Sequence, residues 1–562
     1  MKNILTLLLI STFILVQAQK TKTNNNTIKV SYSKSYNGKL QENQDNIWIF
    51  SNSNETLITS EYTILQKSNF PYEQTLVKRD KNALLQITQL KKNASTSTLD
   101  SISLGKQSFE FIGETKKILG YNCKKAKTII NSNTIELWYT NELNVKGAPT
   151  VLGQNLGLVL EMVRNGNFVI SATKIEKIKN ETPSNLLAKT TTPSAIIDGL
   201  SYKDLVWKSR FTTIPVFKDE IVNFSSESKS NDSIFRFANG TIIVKKVTFP
   251  ELKKGELVFL DLLEQSNGDA YDRTGSVFVI PEDKKQSFFD GLQNGANVLP
   301  IYENGNGKKY QGVIATENYS PIIELMRFFT PFGIKQYNYI QLKDKNWHEI
   351  VPYRMDISEL KPNLSGKTLY VGTFIGNYDK GGHKISMNIT VHPSESILDN
   401  NTVSIPLFNT TNVMEMAGQE YATMFNHEKG LEVTFTLDKK VKNAQLRYIT
   451  TGHGGWQNGD EFLLKRNTIV LNGKEVFSFL PWRQDCGGYR LFNPASGNFN
   501  DGLSSSDLSR ANWCPGTATN PIYIELGDLD VGTHTIQVKI PQGANEGGSF
   551  SSWNVSGVLI GE

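Results

Sequence analysis

The chain has 562 residues, with 60 Lys+Arg against 55 Asp+Glu for a formal net charge of +5, and 38% of it is hydrophobic. This length corresponds to roughly three or four domains of about 100–200 residues each. The basic residues form no block, which argues against nucleic acid as a partner. Apart from the N-terminus no run is apolar enough to suggest a membrane span, which needs roughly 18 or more such residues.

The N-terminus reads "MKNILTLLLISTFILVQAQK": one lysine, an apolar run from Ile4 to Val16 and a small residue at Ala18. This is the layout of a secretory signal peptide over residues 1–18. The expectation is a secreted or periplasmic protein, cleaved near Ala18. An exported chain with three cysteines suggests one disulfide and one thiol. Cys486 and Cys514 share a Gly/Ser/Asn-rich region and are the expected pair, with loop closure worth on the order of 3 kcal/mol. Cys123 is expected to be a buried thiol.

In chain order, residues 19–180 form a β-rich accessory domain, and 181–200 ("ETPSNLLAKTTTPSAIIDGL") read as a linker because of their Thr, Pro and Ser content. Residues 201–394 and 395–562 each have the size of a β-sandwich, with the break near "HPSESILDNNT". In the first, "DAYDRTGSVFVI" (Asp269–Ile280) sets two acids and a base before an apolar run that reads as a buried strand. "SPIIELMRFF" (Ser320–Phe329) is a short helix candidate. In the second, "LEVTFTL" and "HTIQVKI" alternate with period two, and "TIVLNGKEVFSFL" carries Asn472-Gly473 as a hairpin turn. No short repeat is present.

No metal signature, phosphate loop or Gly-x-Ser-x-Gly elbow occurs, so neither a metal nor a cofactor is expected. What stands out is carboxylates among aromatics and glycines: His453, Trp456, Asp460 and Glu461 in "TTGHGGWQNGDEFLLKR", and Arg510 and Trp513 beside Cys514 in "SSSDLSRANWCPG". Aromatic faces flanked by hydrogen-bonding groups suit a carbohydrate, whose rings have apolar faces and hydroxyl edges. On pattern alone, Asp-x-x-Asp-Arg before a strand is more often a turn with a surface ion pair, and each tryptophan is as readily packing as a sugar platform. The residues by themselves therefore reach an exported β-rich protein with a sugar site as one reading.

"RANWCPG" (Arg510–Gly516) resembles the Arg-Ala-Gly-Trp-Cys-Pro-Gly segment of the peptide-N-glycosidase F family, amidases that remove N-linked glycans from glycoproteins. "RFFTPFG" (Arg327–Gly333), "DEFLLKRNTIVLN" and "YDRTGSVFV" resemble further segments of that family in the same order, over roughly residues 200–562. The resemblance implies two jelly-roll-like antiparallel β-sandwiches packed side by side, mainly β throughout, preceded by a separate β-rich domain. It implies Asp272 and Glu461 as catalytic residues, acting from the cleft between the sandwiches. Arg273, Arg510, His453 and Trp513 fall on family positions at the site and, with Trp456 from the residue pattern, are the expected substrate-binding residues, and Cys486 and Cys514 fall on a family disulfide. Arg273 and Arg510 would keep Asp272 ionised, as a nearby guanidinium lowers a carboxylate's pKa by roughly 1–3 units.

The implied substrate is an N-glycoprotein or glycopeptide, cleaved at the Asn side-chain amide to leave Asp. A glycan-binding or adhesion protein on the same sandwiches is the alternative, and an oligosaccharide-cleaving glycosidase a third reading. A further family carboxylate in a Tyr-Thr-Glu-Thr-Trp strand has no counterpart in "LYVGTFIGNYD", where Asp379 is one substitute. Two smaller family disulfides lack cysteines here. The extra N-terminal domain matches the layout of the family's type II form, which carries a bowl-like domain there. "GYNCKKA", "IELWYTNEL" and "LGLVLEM" also resemble exported Bacteroidetes proteins named for a Gly-Leu-Pro-Gly-Leu-Ile motif.

Overall fold

The computed structural model describes residues 27–41, 45–191, 194–338, 342–394, 402–454, 459–494, 504–544 and 551–562. The signal-peptide reading and Trp456 lie outside them. The chain divides into two compact units, Met1–Arg210 and Phe211–Glu562. Among the described residues no helix is long and apolar enough to cross a membrane.

The first unit is one twelve-stranded antiparallel sheet. Its strand Thr27–Tyr36 pairs with Phe168–Ile178 on one side and Ile47–Ser51 on the other, so the two ends of the unit meet at its centre. Val30, Tyr32, Ile49, Leu137 and Leu160 pack one core, and the thiol of Cys123 is buried in it and free.

The Thr/Pro-rich stretch read as a linker is part of this unit. Thr182 caps a helix over Pro183–Thr190, with its side chain accepting from Asn185 N and proline at the first turn. Leu187 of that helix packs with Phe50, Leu57 and Leu76. Asp198 caps a second helix, Gly199–Lys208, whose Tyr202 hydroxyl lies 2.6 Å from Thr88 Oγ1. Thr182 and Pro183 are helix-start residues rather than spacer composition.

The second unit holds two antiparallel sandwiches. In the first, the sheet Thr212–Val222, His383–His392, Leu257–Ser266, Val351–Asp356 faces the sheet Phe235–Phe237, Ile242–Thr248, Thr368–Ile375, Thr274–Ile280, Ile323–Phe329, Ala518–Thr519. The strand Thr274–Ile280 explains its own unbroken apolar run. Val277 and Val279 point into the core between the sheets, while Phe278 and Ile280 pack under the helix Phe288–Asn294. A strand covered on both faces has no polar positions to alternate with.

"SPIIELMRFF" is corrected by the same logic. Ile323–Phe329 is a strand buried at every position, and a run covered on both faces carries no period that separates strand from helix.

The second sandwich sets Val403–Asn409, Ser552–Gly561, Val441–His453, Ile522–Leu529 against Leu431–Leu437, Gly532–Lys539, Asn467–Leu471, Lys474–Phe479. Asn472 and Gly473 turn the expected hairpin with φ of 50° and 82°. The short strand Ala518–Thr519 leaves this half of the chain to pair with Ile323–Phe329 of the first sandwich. Fully buried Arg327 spans the same boundary. It pairs with Glu324 at 2.7 Å and donates to Thr411 Oγ1, Thr451 Oγ1 and Asn554 O on the second sandwich at 2.9, 3.0 and 2.5 Å. Ser556 of the second sandwich donates back to Glu324 at 2.6 Å.

Candidate active site between the two sandwiches

Asp272 sits on the loop that feeds the doubly covered strand Thr274–Ile280. "RFFTPFG" holds that loop in place. Arg273 N donates to Thr330 Oγ1 at 2.8 Å, Thr330 N donates to Arg273 O at 3.0 Å, and Gly333 N donates to Ala270 O at 3.0 Å. Glu461 lies on a turn of the second sandwich whose peptide carbonyl accepts from Ala511 N at 2.9 Å. Its neighbour Asp460 is fully buried and bonds Trp553 Nε1 and Gly543 N, so it anchors the turn, while the Glu461 side chain is only partly buried.

Arg510 joins the two acids. Its guanidinium bonds Glu461 Oε1 and lies 3.1 Å from Asp272 Oδ2. The Arg510 side chain is 2% exposed, while those of Asp272 and Glu461 are 15% and 17% exposed. The cation is thus sealed in, and the two acid side chains keep only partial access to solvent, with Asp272 Oδ2 itself buried. Oδ2 of Asp272 receives no aligned hydrogen bond among the described residues. Burial pushes the Asp272 carboxyl above its ordinary value even with Arg510 and Arg273 opposing. This reverses the expectation that the arginines hold it low, because the loss of water outweighs their charge.

Arg510 is fixed from several sides. It exchanges backbone hydrogen bonds with Arg483 at 2.9 and 3.0 Å, and its guanidinium lies 4.4 Å from the Trp513 ring centre. Trp513 is 3% exposed, stacks on Phe329 at 4.2 Å and donates from Nε1 to Gly452 O at 2.9 Å. Being buried, it supports Arg510 and offers no open face to a sugar, which corrects its expected substrate contact. Cys514 follows at once, disulfide-bonded to Cys486 as expected.

His453 stacks with Phe329 at 5.7 Å, and its Nε2 lies 2.7 Å from Thr451 Oγ1. Burial, then the charges of Arg327 and Arg510, hold its pKa down to about 3, so it is a neutral imidazole. Arg273 does not pair with Asp272. It forms a two-point ion pair with Asp269 at 2.7 and 3.1 Å, which makes Asp269 a structural partner.

Some residues at the site are not singled out by the sequence analysis, although two of them lie inside its quoted segments. Tyr271 and Tyr378 are 52% and 60% exposed, with ring centres 5.1 and 5.5 Å from the Arg273 guanidinium. Each precedes an aspartate in the sequence, a weak cue. Asp379 closes its own turn by accepting from Gly381 N and Gly382 N at 2.7 and 2.9 Å. The acid that approaches the "TFIGNYD" segment is Glu415, 3.3 Å from where a Cβ on Gly376 would sit. Burial raises its pKa against hydrogen bonds from Tyr421 and Asn412.

Family models agree with this layout. "Peptide-N-glycosidase F, N terminal" matches residues 213–391 and "Peptide-N-glycosidase F, C terminal" matches 420–560. "N-glycanase peptide, N-terminal domain" matches 30–204. A crystal structure of PNGF-II in space group C2 is 58% identical, with 96% of this chain and 98% of that one covered and a TM-score of 0.85.

The chain belongs to the peptide-N-glycosidase F family, in its type II form.

A second PNGF-II structure, in space group P21, is likewise 58% identical, with 95% and 99% covered and a TM-score of 0.87. PNGase F from Flavobacterium meningosepticum is 16% identical over 63% of this chain and 96% of that one, with a TM-score of 0.41. No curated protein matches the chain at a significant level. Membership of the peptide-N-glycosidase F family supports a glycan-releasing amidase.

Proposed function

We propose that this protein is exported and hydrolyses the amide between an asparagine side chain and the innermost N-acetylglucosamine of an N-glycoprotein or glycopeptide. The observation that carries the reading is Arg510, one buried guanidinium facing Asp272 of the first sandwich and Glu461 of the second. An amide is a poor electrophile with a poor leaving group, so water needs a base and the departing nitrogen needs a proton. Asp272 takes a proton from water. Oxygen adds to the amide carbon, the C–N bond breaks, and the proton passes to the glycosylamine nitrogen.

Burial raises the basicity of Asp272 and so suits it to that step. Glu461 holds a sugar hydroxyl or a second water. Arg510, one positive charge shared between the two acids, holds them in place from a buried position, and neutral His453 supports the wall behind it. Tyr271, Tyr378 and Glu415 are suited to the sugar, with aromatic faces for ring C–H groups and an acid for hydroxyls.

Chromatography of glycan released from an N-glycopeptide tests this. Wild type releases it, Asp272→Asn abolishes release, and Glu461→Gln weakens it. Binding without release would favour a lectin. Glycan lacking its innermost sugar would favour a glycosidase.

A further inference from the structure

Behind the Asp272 loop lies a row of buried charges that the reaction does not itself use. His383 opens the strand His383–His392 and is fully buried. Its Nδ1 lies 2.8 Å from Glu264 Oε1, and Glu264 is also fully buried. Its Nε2 lies 3.4 Å from Asp269 Oδ2, and Asp269 in turn holds the Arg273 guanidinium at two points. The charged groups facing the imidazole are thus Glu264 and Asp269, with Arg273 beyond Asp269 and the Tyr353 hydroxyl near Glu264. On the adjoining strand Thr212–Val222 the residue paired with His383 is apolar Val222.

With His383 protonated, two acids meet two cations and the row is neutral. With it neutral, a net negative charge would be left out of water, which is costly. Burial by itself would lower the histidine's pKa, but Asp269 and Glu264 overcome it and raise it to about 9. Asp269 is held well below the usual carboxylate range, since His383 and Arg273 together outweigh its burial.

The row is tied to the catalytic loop by backbone as well. Ser266 Oγ donates to Asp269 O at 2.6 Å, and Asn267 N donates to Gly382 O at 2.8 Å. Gly382 has φ of 59°, and a Cβ there would meet Val222 O at 2.2 Å, so the contact admits only glycine.

We propose that His383 is a positioning residue for the hydrolysis: as a buried imidazolium between Glu264 and Asp269, it locks Asp269 and Arg273 and so sets where the adjacent Asp272 carboxylate stands. The role rests on the reaction proposed above. It acts through Asp269 and does not touch the substrate.

The test is steady-state kinetics of the full chain on an N-glycopeptide across pH. His383→Gln should lower kcat by about tenfold to a hundredfold, with KM within about twofold, since a small misplacement costs rate more than binding. It should also abolish the wild-type alkaline loss of kcat centred near pH 9. His383→Gln/Glu264→Gln restores the charge balance and should recover part of kcat.

If His383→Gln fails to fold, Glu264→Gln alone serves. It leaves the imidazole one carboxylate, so the alkaline limb should move down by about one unit. An unmoved limb would overturn the role. A His383→Gln kcat within about twofold of wild type, or an alkaline limb that survives the substitution, would also overturn it. A wild-type chain that released no glycan would sink the reaction itself, and this role with it.

Discussion

Arg510 bonds Glu461 and faces Asp272 from a position almost sealed from water. Its planar fork is what lets one side chain address two acids, and a lysine ammonium cannot reproduce it. Arg510→Lys should therefore lower kcat/KM by about a hundredfold or more while circular dichroism stays that of wild type. In the proposed reaction the acid limb of the rate belongs to Asp272. Its pKa is raised above 3.8, and its base form is the working one, so release should fall as pH drops through a value above the ordinary carboxylate one. His453, with a pKa near 3, is already neutral across that range, so His453→Gln should leave the limb where it is. An acid limb that moved with His453 would reassign the base.

At the scale of elements, legibility followed burial. Leu431–Leu437, buried at alternate positions, was readable because one face meets water and the other the core. Ile323–Phe329, covered on both faces, was not, and its length suited a helix equally well. Residues 183–190 misled through composition, because Thr and Pro serve a helix start as readily as a linker.

The Cys486–Cys514 disulfide closes a loop of sequence separation 28 and pins the end of the Arg510 segment. Cys486→Ala/Cys514→Ala should cost about 3 kcal/mol in urea unfolding. It should also lower kcat more than it raises KM, because Arg510 loses its support. An unchanged unfolding midpoint would argue that the backbone bridge to Arg483 suffices.

Across the whole molecule, the candidate site lies where the sandwiches meet. Arg327 is fully buried there, bonded to both. Arg327→Met would leave Glu324 buried without its cation and should cost roughly 3–5 kcal/mol in urea unfolding. A loss below about 1 kcal/mol would show that apolar packing carries the boundary.

Asp272, Glu461 and Arg510 could be found in the sequence because each sits in a local motif. His383 could not, since its partner Asp269 is 114 residues away and only the pairing of two strands brings them together. Glu415 was hidden for the same reason: its approach to Gly376 comes from packing, not from spacing.

The most direct test is a mass spectrum of an N-glycopeptide treated in heavy-oxygen water with wild type and with Asp272→Asn. The proposed reaction has wild type convert the glycosylated Asn to Asp bearing one heavy oxygen, with the glycan released whole. The Asp272→Asn protein should leave the peptide unchanged. An Asn still carrying N-acetylglucosamine after wild-type treatment, or equal conversion by the variant, would contradict it.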